Sequence, residues 1–388
     1  MDEGELRRIA EPAGASADSR GWMKIHLALS PEQPDVSRLW APTFDLRIGP
    51  VVVRMGGVAG VGTEESLRHR GCARRVLEES TRYFTETGHD VALLFGIPDF
   101  YHRFGYAPVL PVTTLTVKTD DARLVLPWRE RQGWSLRPLQ ESDWRAVLEI
   151  YHDNNRERTG TLIRPLAQWR GYRHGTQWTS QVETHLIVDG GTGGIAGYLA
   201  FDTARDGFRV GDLGYRSPAV FPALLATMAE QAGERGLEEF QVRLPPDHPF
   251  TRFCRRCGGV LQTAYERNAG GMARIIDQHS LFEKLTPLLA ERLRGTRFAA
   301  ARGGLALRTD LGTTALDLDG SAVRVGGGER QVWGASMPQM RLIQLVFGYR
   351  AVEDVALEND VDVPADSLPL LDALFPVGDP WMYVPDWF

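Results

Sequence analysis

The chain has 388 residues, 43% of them hydrophobic and 24% charged, and its 44 Lys plus Arg against 50 Asp plus Glu give a formal net charge of −6. That length provides for about two or three cores, and the acidic balance excludes a general nucleic-acid binder, which needs an excess positive field. No apolar run approaches the ~18 residues that span a bilayer, and the opening MDEGELRRIAEP lacks a basic stretch followed by an apolar one, so a cytoplasmic protein is expected.

Residues 1 to 42 show no amphipathic helical pattern, and EPAGASADSRGW reads as turn. Residues 43 to 63 read as two strands joined by a turn at Ile48, Gly49 and Pro50. A helix follows over about 71 to 87, where Ala73, Val76, Leu77, Ser80 and Phe84 recur at helical spacing, and Gly88 ends it. VALLFGI, residues 91 to 97, is a continuous apolar run of the kind that forms a buried strand. PDFYHRFGYAPV then gives a helical turn and loop, and TTLTVK another strand.

The proline-tryptophan segment VLPWRERQGW separates this unit from a second beginning near Leu136. There, Glu141, Ser142 and Asp143 precede Trp144, Val147, Leu148 and Tyr151, the pattern of a capped helix. HLIVDGGTGGIAGYLAF reads as a hairpin, VGDLGY as a strand, FPALLATMAEQAGERG as a helix and FQVRLP as a strand. The order repeats that of the first unit. IPDFYHRFGYAPV at 97 to 109 is echoed by LPPDHPFTRFCRRCGGV at 244 to 260, so two copies of one α/β fold are expected.

A third part starts near residue 280 with SLFEKLTPLLAERL, whose Leu281, Phe282, Leu285, Leu288 and Leu289 share one face. LALRTD, TALDLDG, AVRVGG and QVWGAS suggest a small antiparallel sheet, and MRLIQLVFG and SLPLLDALF supply helices, which makes an α+β domain. The three cysteines, Cys72, Cys254 and Cys257, are too few for a disulfide framework. With no second C-x-x-C pair and no histidine at finger spacing, Cys254 and Cys257 are assigned a structural role and no metal is expected.

The basic residues of SLRHRGCARRVLEESTRYF crowd the first turn of its helix, the end that already carries partial positive charge, so an anion is expected there. The dinucleotide fingerprint fails because Glu65 stands where its third glycine belongs, and no Gly-Lys-Ser/Thr exists for a Walker loop. R-x-x-G-x-A, Arg68 to Ala73, remains. It follows a strand and opens a helix, so its backbone N–H groups can cradle a pyrophosphate while Gly71 lets the chain come close.

VGTEESLRHRGCARRVL resembles the acetyl-CoA loop of the GNAT acetyltransferase superfamily, and the three-part layout resembles its Eis (enhanced intracellular survival) branch. The resemblance implies two tandem GNAT domains, residues 1–132 and a degenerate 133–278, followed by a sterol-carrier-protein-like α+β domain over 279–388. It places the pantetheine on Val61 and Thr63, and the diphosphate on Arg68, His69, Arg70, Gly71, Cys72 and Ala73. FYHRFGY resembles the segment that carries a tyrosine general acid, matched to Tyr106, and the final Phe388 matches a terminal residue whose carboxylate serves as base. RSPAVFPALL stands at the loop of the second unit without an arginine-glycine pair, so one acetyl-CoA site per chain is expected.

The function implied is N-acetylation of a small-molecule amine, an aminoglycoside, polyamine or lysine amine, by direct transfer, in a homo-oligomer that the resemblance makes a hexamer. The lesser alternatives are Tyr106 as a core tyrosine with its hydroxyl satisfied, and Glu64 or Asp99 as base in place of caps or solvent-exposed loop carboxylates. The rival function is a non-catalytic carrier of an apolar ligand in the third domain.

Overall fold

The computed structural model describes residues 6–10, 22–28, 35–124, 133–167, 169, 171–204, 206–320, 322–326 and 331–388. Most of EPAGASADSRGW and of VLPWRERQGW therefore lies outside the described residues. The first stretch holds β1 (Leu6–Ala10), β2 (Met23–Leu27), β3 (Ser37–Ala41), β4 (Thr43–Ile48), β5 (Val51–Thr63), α1 (Cys72–Glu86), β6 (Val91–Gly96), β7 (Ala107–Leu110), β8 (Val112–Lys118) and the short α2 (Thr119–Arg123). The second holds β9 (Trp134–Pro138), α3 (Trp144–Asn154), β10 (Val182–Asp189), β11 (Ile195–Asp202), β12 (Arg209–Tyr215), α4 (Phe221–Glu234), β13 (Glu239–Val242), α5 (Pro249–Cys254), β14 (Val260–Ala264) and β15 (Gly270–Ile275). The third holds α6 (Gln278–Arg294), β16 (Arg302–Thr309), β17 (Gly312–Asp319), β18 (Val323–Val325), β19 (Gln331–Ser336), α7 (Gln339–Val346), α8 (Val352–Val355) and α9 (Leu368–Leu374).

The expected β-α-β order is present in both units, β5-α1-β6 and β12-α4-β13, each closing on a parallel strand pair. In α1 the apolar stripe of Val76, Leu77 and Phe84 packs on Ile25, Leu39, Val58 and Leu94 of the sheet beneath it. Ahead of the first unit, where helices are absent from the pattern, the chain makes strands. Ile25 and Leu27 of β2 alternate inward with Leu39 of β3, and these strands continue the first sheet as β1-β2-β3-β5-β6-β15-β7, with β4 pairing β5.

The two large sheets exchange strands. The chain breaks at Pro111 between β7, which stays in the first sheet, and β8, which enters the second between β13 and β14. Reciprocally, β15 returns from the end of the second unit to lie between β6 and β7. The third sheet, β18-β17-β16-β19, is mixed rather than antiparallel as expected, because β19 lies beyond β16 and runs parallel to it. Residue period reports which face a side chain takes, not the direction of its neighbour.

Helix α6 ties the third part to the first unit. Asp90, fully buried, accepts hydrogen bonds from the Arg54 backbone N–H (2.6 Å), Ser280 Oγ (2.7 Å) and Lys284 Nζ (2.6 Å). The final segment then turns back. Trp381, Tyr383, Val384 and Phe388 are all buried, far from the frayed state in which an exposed terminus is usually found. Among the described residues no helix is long and apolar enough to cross a membrane.

Candidate active site

The site begins as a fork between two strands. β5 and β6 pair from Met55↔Val91 to Val58↔Leu94 and there the ladder ends, although β5 continues to Thr63 and β6 to Gly96. On its other edge β5 remains bound to β3, with a register shift opposite Gly60, whose φ of +57° only a glycine adopts freely. That bulge carries Val61, Gly62 and Thr63 away from β6. Backbone groups on the open edge are thereby freed to bond an extended, amide-bearing ligand.

Beyond Thr63 the chain makes a turn over Glu65–Leu67, and Arg68 is extended, His69 left-handed at φ +62° and Gly71 left-handed at φ +82°. Gly71 is the N-cap of α1 and gives no side-chain cap, so the first-turn N–H groups of the helix point outward uncapped. A Cβ on Gly71 would meet nothing within 4 Å. It is therefore the backbone twist, not crowding, that requires glycine, and the open side is where an anion would stand.

Loop and fork share one cavity of about 660 Å³. Val61, Gly62, Thr63, Arg68, His69, Gly71, Cys72 and Ala73 line it, which brings together every expected binding residue except Arg70, which is exposed beside it. Arg74 and Arg103 also line it, and Arg74 lies 5.6 Å from the Phe104 ring. Arg68 faces Glu65 at 3.8 Å, an exposed pair of little strength. A pantetheine arm on the fork and a diphosphate on the loop fit this donor set, and the absent Cβ of Gly71 leaves them room.

The two tyrosines of FYHRFGY are placed differently. Tyr106 is 1% exposed, does not line the cavity, and its hydroxyl is buried without a hydrogen-bond partner, so burial drives its phenol far up. Tyr101 lines the cavity. A Cβ on Gly96 would lie 2.7 Å from its ring, so the ring rests on β6 just past the fork. Burial raises its phenol too, which keeps the proton on it at neutral pH.

Phe388 reaches the same fork from the opposite face. A Cβ on Gly57 would meet the Phe388 ring at 2.6 Å and Pro42 at 2.7 Å, so the ring sits on β5 one residue before the last pair with β6. It packs with Phe44 (centroids 4.9 Å apart) and Phe95 (5.8 Å), and Trp387 stacks on Phe95 at 4.2 Å. Tyr101 belongs to the core on the α1 side of the sheet and Phe388 to the core on the other.

Phe388 itself does not line the cavity, and neither do the alternative bases. Asp99 is exposed and bonded to Asn268 and Arg267, which hold its carboxyl below the usual range, and Glu64 accepts from Ser66 Oγ at 3.1 Å. Cys254 and Cys257 are free thiols buried in the second core. Among the described residues no group of His, Cys, Asp or Glu is arranged to hold a metal ion.

In the second unit the corresponding helix start is closed. Ser217 Oγ accepts from the Ala219 N–H, Pro218 and Pro222 remove donors, and Phe221, Pro222 and Ala223 are buried.

Residues 29–109 match the acetyltransferase (GNAT) domain. The fold of almost the whole chain is that of a GCN5-related N-acetyltransferase from Anabaena variabilis (TM-score 0.73, 19% identity, 95% of this chain and 90% of that one). It is similarly that of a probable N-acyltransferase from Enterococcus faecalis (0.75, 16%, 96% and 91%) and of Eis1 from Mycobacterium abscessus (0.66, 15%, 99% and 100%). No curated protein matches by sequence. The fork, the uncapped helix and the anion-suited loop all fall within residues 29–109, the stretch that matches the acetyltransferase domain of the GNAT type.

Proposed function

We propose that the chain transfers the acetyl group of acetyl-CoA directly to an amine, with one acetyl-CoA site per chain. The observation that carries this reading is the fork at Val58 and Leu94, with the basic loop at its mouth, Tyr101 on one face and Phe388 on the other. Bound acetyl-CoA supplies the activated acyl group. Val61 and Thr63 orient the pantetheine arm by their backbone, while Arg68, Arg74 and the N–H groups of Gly71, Cys72 and Ala73 hold the diphosphate.

Tyr101, rather than Tyr106, is positioned to protonate the leaving thiolate, because it is the tyrosine that lines the cavity. The carboxylate of Phe388 takes the proton of the attacking amine, supported by the seat of its ring on Gly57. Phe44, Phe95 and Trp387 wall that side, and such rings accept an ammonium group as well as an apolar body. The domain layout we infer is the expected one: a catalytic unit, a second unit of the same fold without its own loop site, and the α+β part. Leu285 and Leu289 of α6 belong to the same buried core as Leu305 and Leu316 of the third sheet, which supports a packed scaffold in that part.

Acetyl-CoA titration by calorimetry, followed by thioester consumption over a panel of aminoglycosides, polyamines and arylalkylamines, tests the reading. One site per chain and turnover with at least one amine are expected. Two sites per chain, or no acetyl-CoA binding, would overturn it.

A further inference from the structure

The second unit also has a fork, and something already occupies it. β12 and β13 pair in parallel only at Arg209↔Gln241 and Val210↔Val242, after which β12 runs on to Tyr215. At the next residue a Cβ on Gly211 would meet Pro385 at 3.1 Å, as one on Gly57 would meet Phe388 at the first fork. The final segment thus lies on the glycine of one fork and, three residues later, on the glycine of the other.

Between these two seats stands Asp386, and the second unit grips it. Arg164, 1% exposed, donates from Nε (3.0 Å) and Nη2 (2.8 Å) to the Asp386 carboxylate and from Nη1 (2.6 Å) to Asp212 of β12. Asp212 also accepts from Tyr172 (2.9 Å) and Tyr198 (3.2 Å), and the Arg164 guanidinium lies 3.7 Å from the Tyr151 ring. A planar, bidentate fork of this kind fixes direction as well as distance. Whatever Arg164 does to Asp386 is felt by Trp387 and Phe388, whose rings stand against Phe95 and Gly57.

We propose that Arg164 and Asp212, acting through Asp386, are positioning residues that set Trp387 and Phe388 at the acceptor face of the first fork. The second unit, without a loop site, serves as the holder of a wall of the first unit's site. The kinetic part of this inference rests on the acetyltransferase reading; the structural part does not.

The test uses the full chain with Asp386→Asn and Asp386→Glu, and measures three quantities. These are hydrogen exchange of the peptide over 381–388, acetyl-CoA affinity, and kcat and KM for whichever amine the wild type acetylates. Asp386→Asn is expected to raise tail exchange at least about tenfold and to lower kcat/KM for the amine at least about tenfold. Acetyl-CoA affinity should stay within about twofold, and Asp386→Glu should recover part of the loss. Unchanged tail exchange, or raised exchange with unchanged amine kinetics, overturns the proposal.

Should Asp386→Asn lose acetyl-CoA binding through misfolding, Tyr172→Phe takes its place, since it removes one hydrogen bond to Asp212 and leaves the charges. A fall in kcat/KM at constant acetyl-CoA affinity then supports the proposal and unchanged kinetics overturn it. If the wild type acetylates no amine, the acetyltransferase reading fails and tail exchange alone decides whether the second unit holds the segment.

Discussion

Tyr101 and Tyr106 differ in what surrounds their hydroxyls, and that difference assigns opposite fates to the same substitution. Tyr101→Phe keeps the ring against Gly96 and removes only a proton donor in the cavity, so acetyl-CoA affinity should hold while turnover falls by about 10² to 10⁴. Tyr106→Phe removes a hydroxyl that is buried without a partner, a group that costs about 1–3 kcal/mol to keep unsatisfied. Turnover should be unchanged and the melting temperature equal or higher. The reverse result in paired kinetics and melting curves would return the donor role to Tyr106. Sequence alone does not separate the two. Both stand in FYHRFGY, and which ring meets the cavity depends on the tight helical turn over Tyr101–Phe104 and on Gly105, left-handed at φ +78°, which sends Tyr106 back into the core.

At the scale of elements, the fork is a product of small residues. Gly57 leaves the depression that the Phe388 ring fills, and a methyl group there would meet that ring and Pro42 at once. Gly57→Ala is therefore expected to cost about 1–3 kcal/mol of stability by overpacking. It should also lower amine turnover by displacing Phe388, with acetyl-CoA affinity preserved because the loop lies beyond Thr63. Calorimetric affinity, melting temperature and turnover measured on one preparation check this. Equal turnover with a lowered melting temperature would remove Phe388 from the chemistry. The elements themselves are largely legible. The spacing of Val76, Leu77 and Phe84 defines α1, and the run VALLFG defines β6. The alternation of Met23, Ile25 and Leu27 marks a strand just as plainly, but only to a reader not looking for a helix in that place. What pattern does not carry is partnership. TTLTVK reads as a strand in any sheet, and nothing in it says that it pairs with residues 239–242 and 260–264 rather than with its own unit.

For the whole molecule, the exchange of β8 and β15 sets the order in which the structure can be completed. The first sheet has a gap between β6 and its edge strand β7, filled by residues 270–275, which leave the ribosome only after the entire second unit has been made. The acetyltransferase domain accordingly cannot close as it emerges. It must wait, with two strand edges bare, for a partner from far downstream, and such long-range pairing is slow to form and open to aggregation meanwhile. Residues 1–132 made alone should therefore be insoluble or melt without cooperativity, whereas their co-expression with a separate chain of residues 133–388 should yield a soluble complex that supplies β15 in trans. Circular dichroism and co-purification read the outcome directly. A cooperative melt of the isolated piece would show that the sheet tolerates the gap. The two units behave, in this respect, as halves that translation delivers in sequence and that the fold accepts only together.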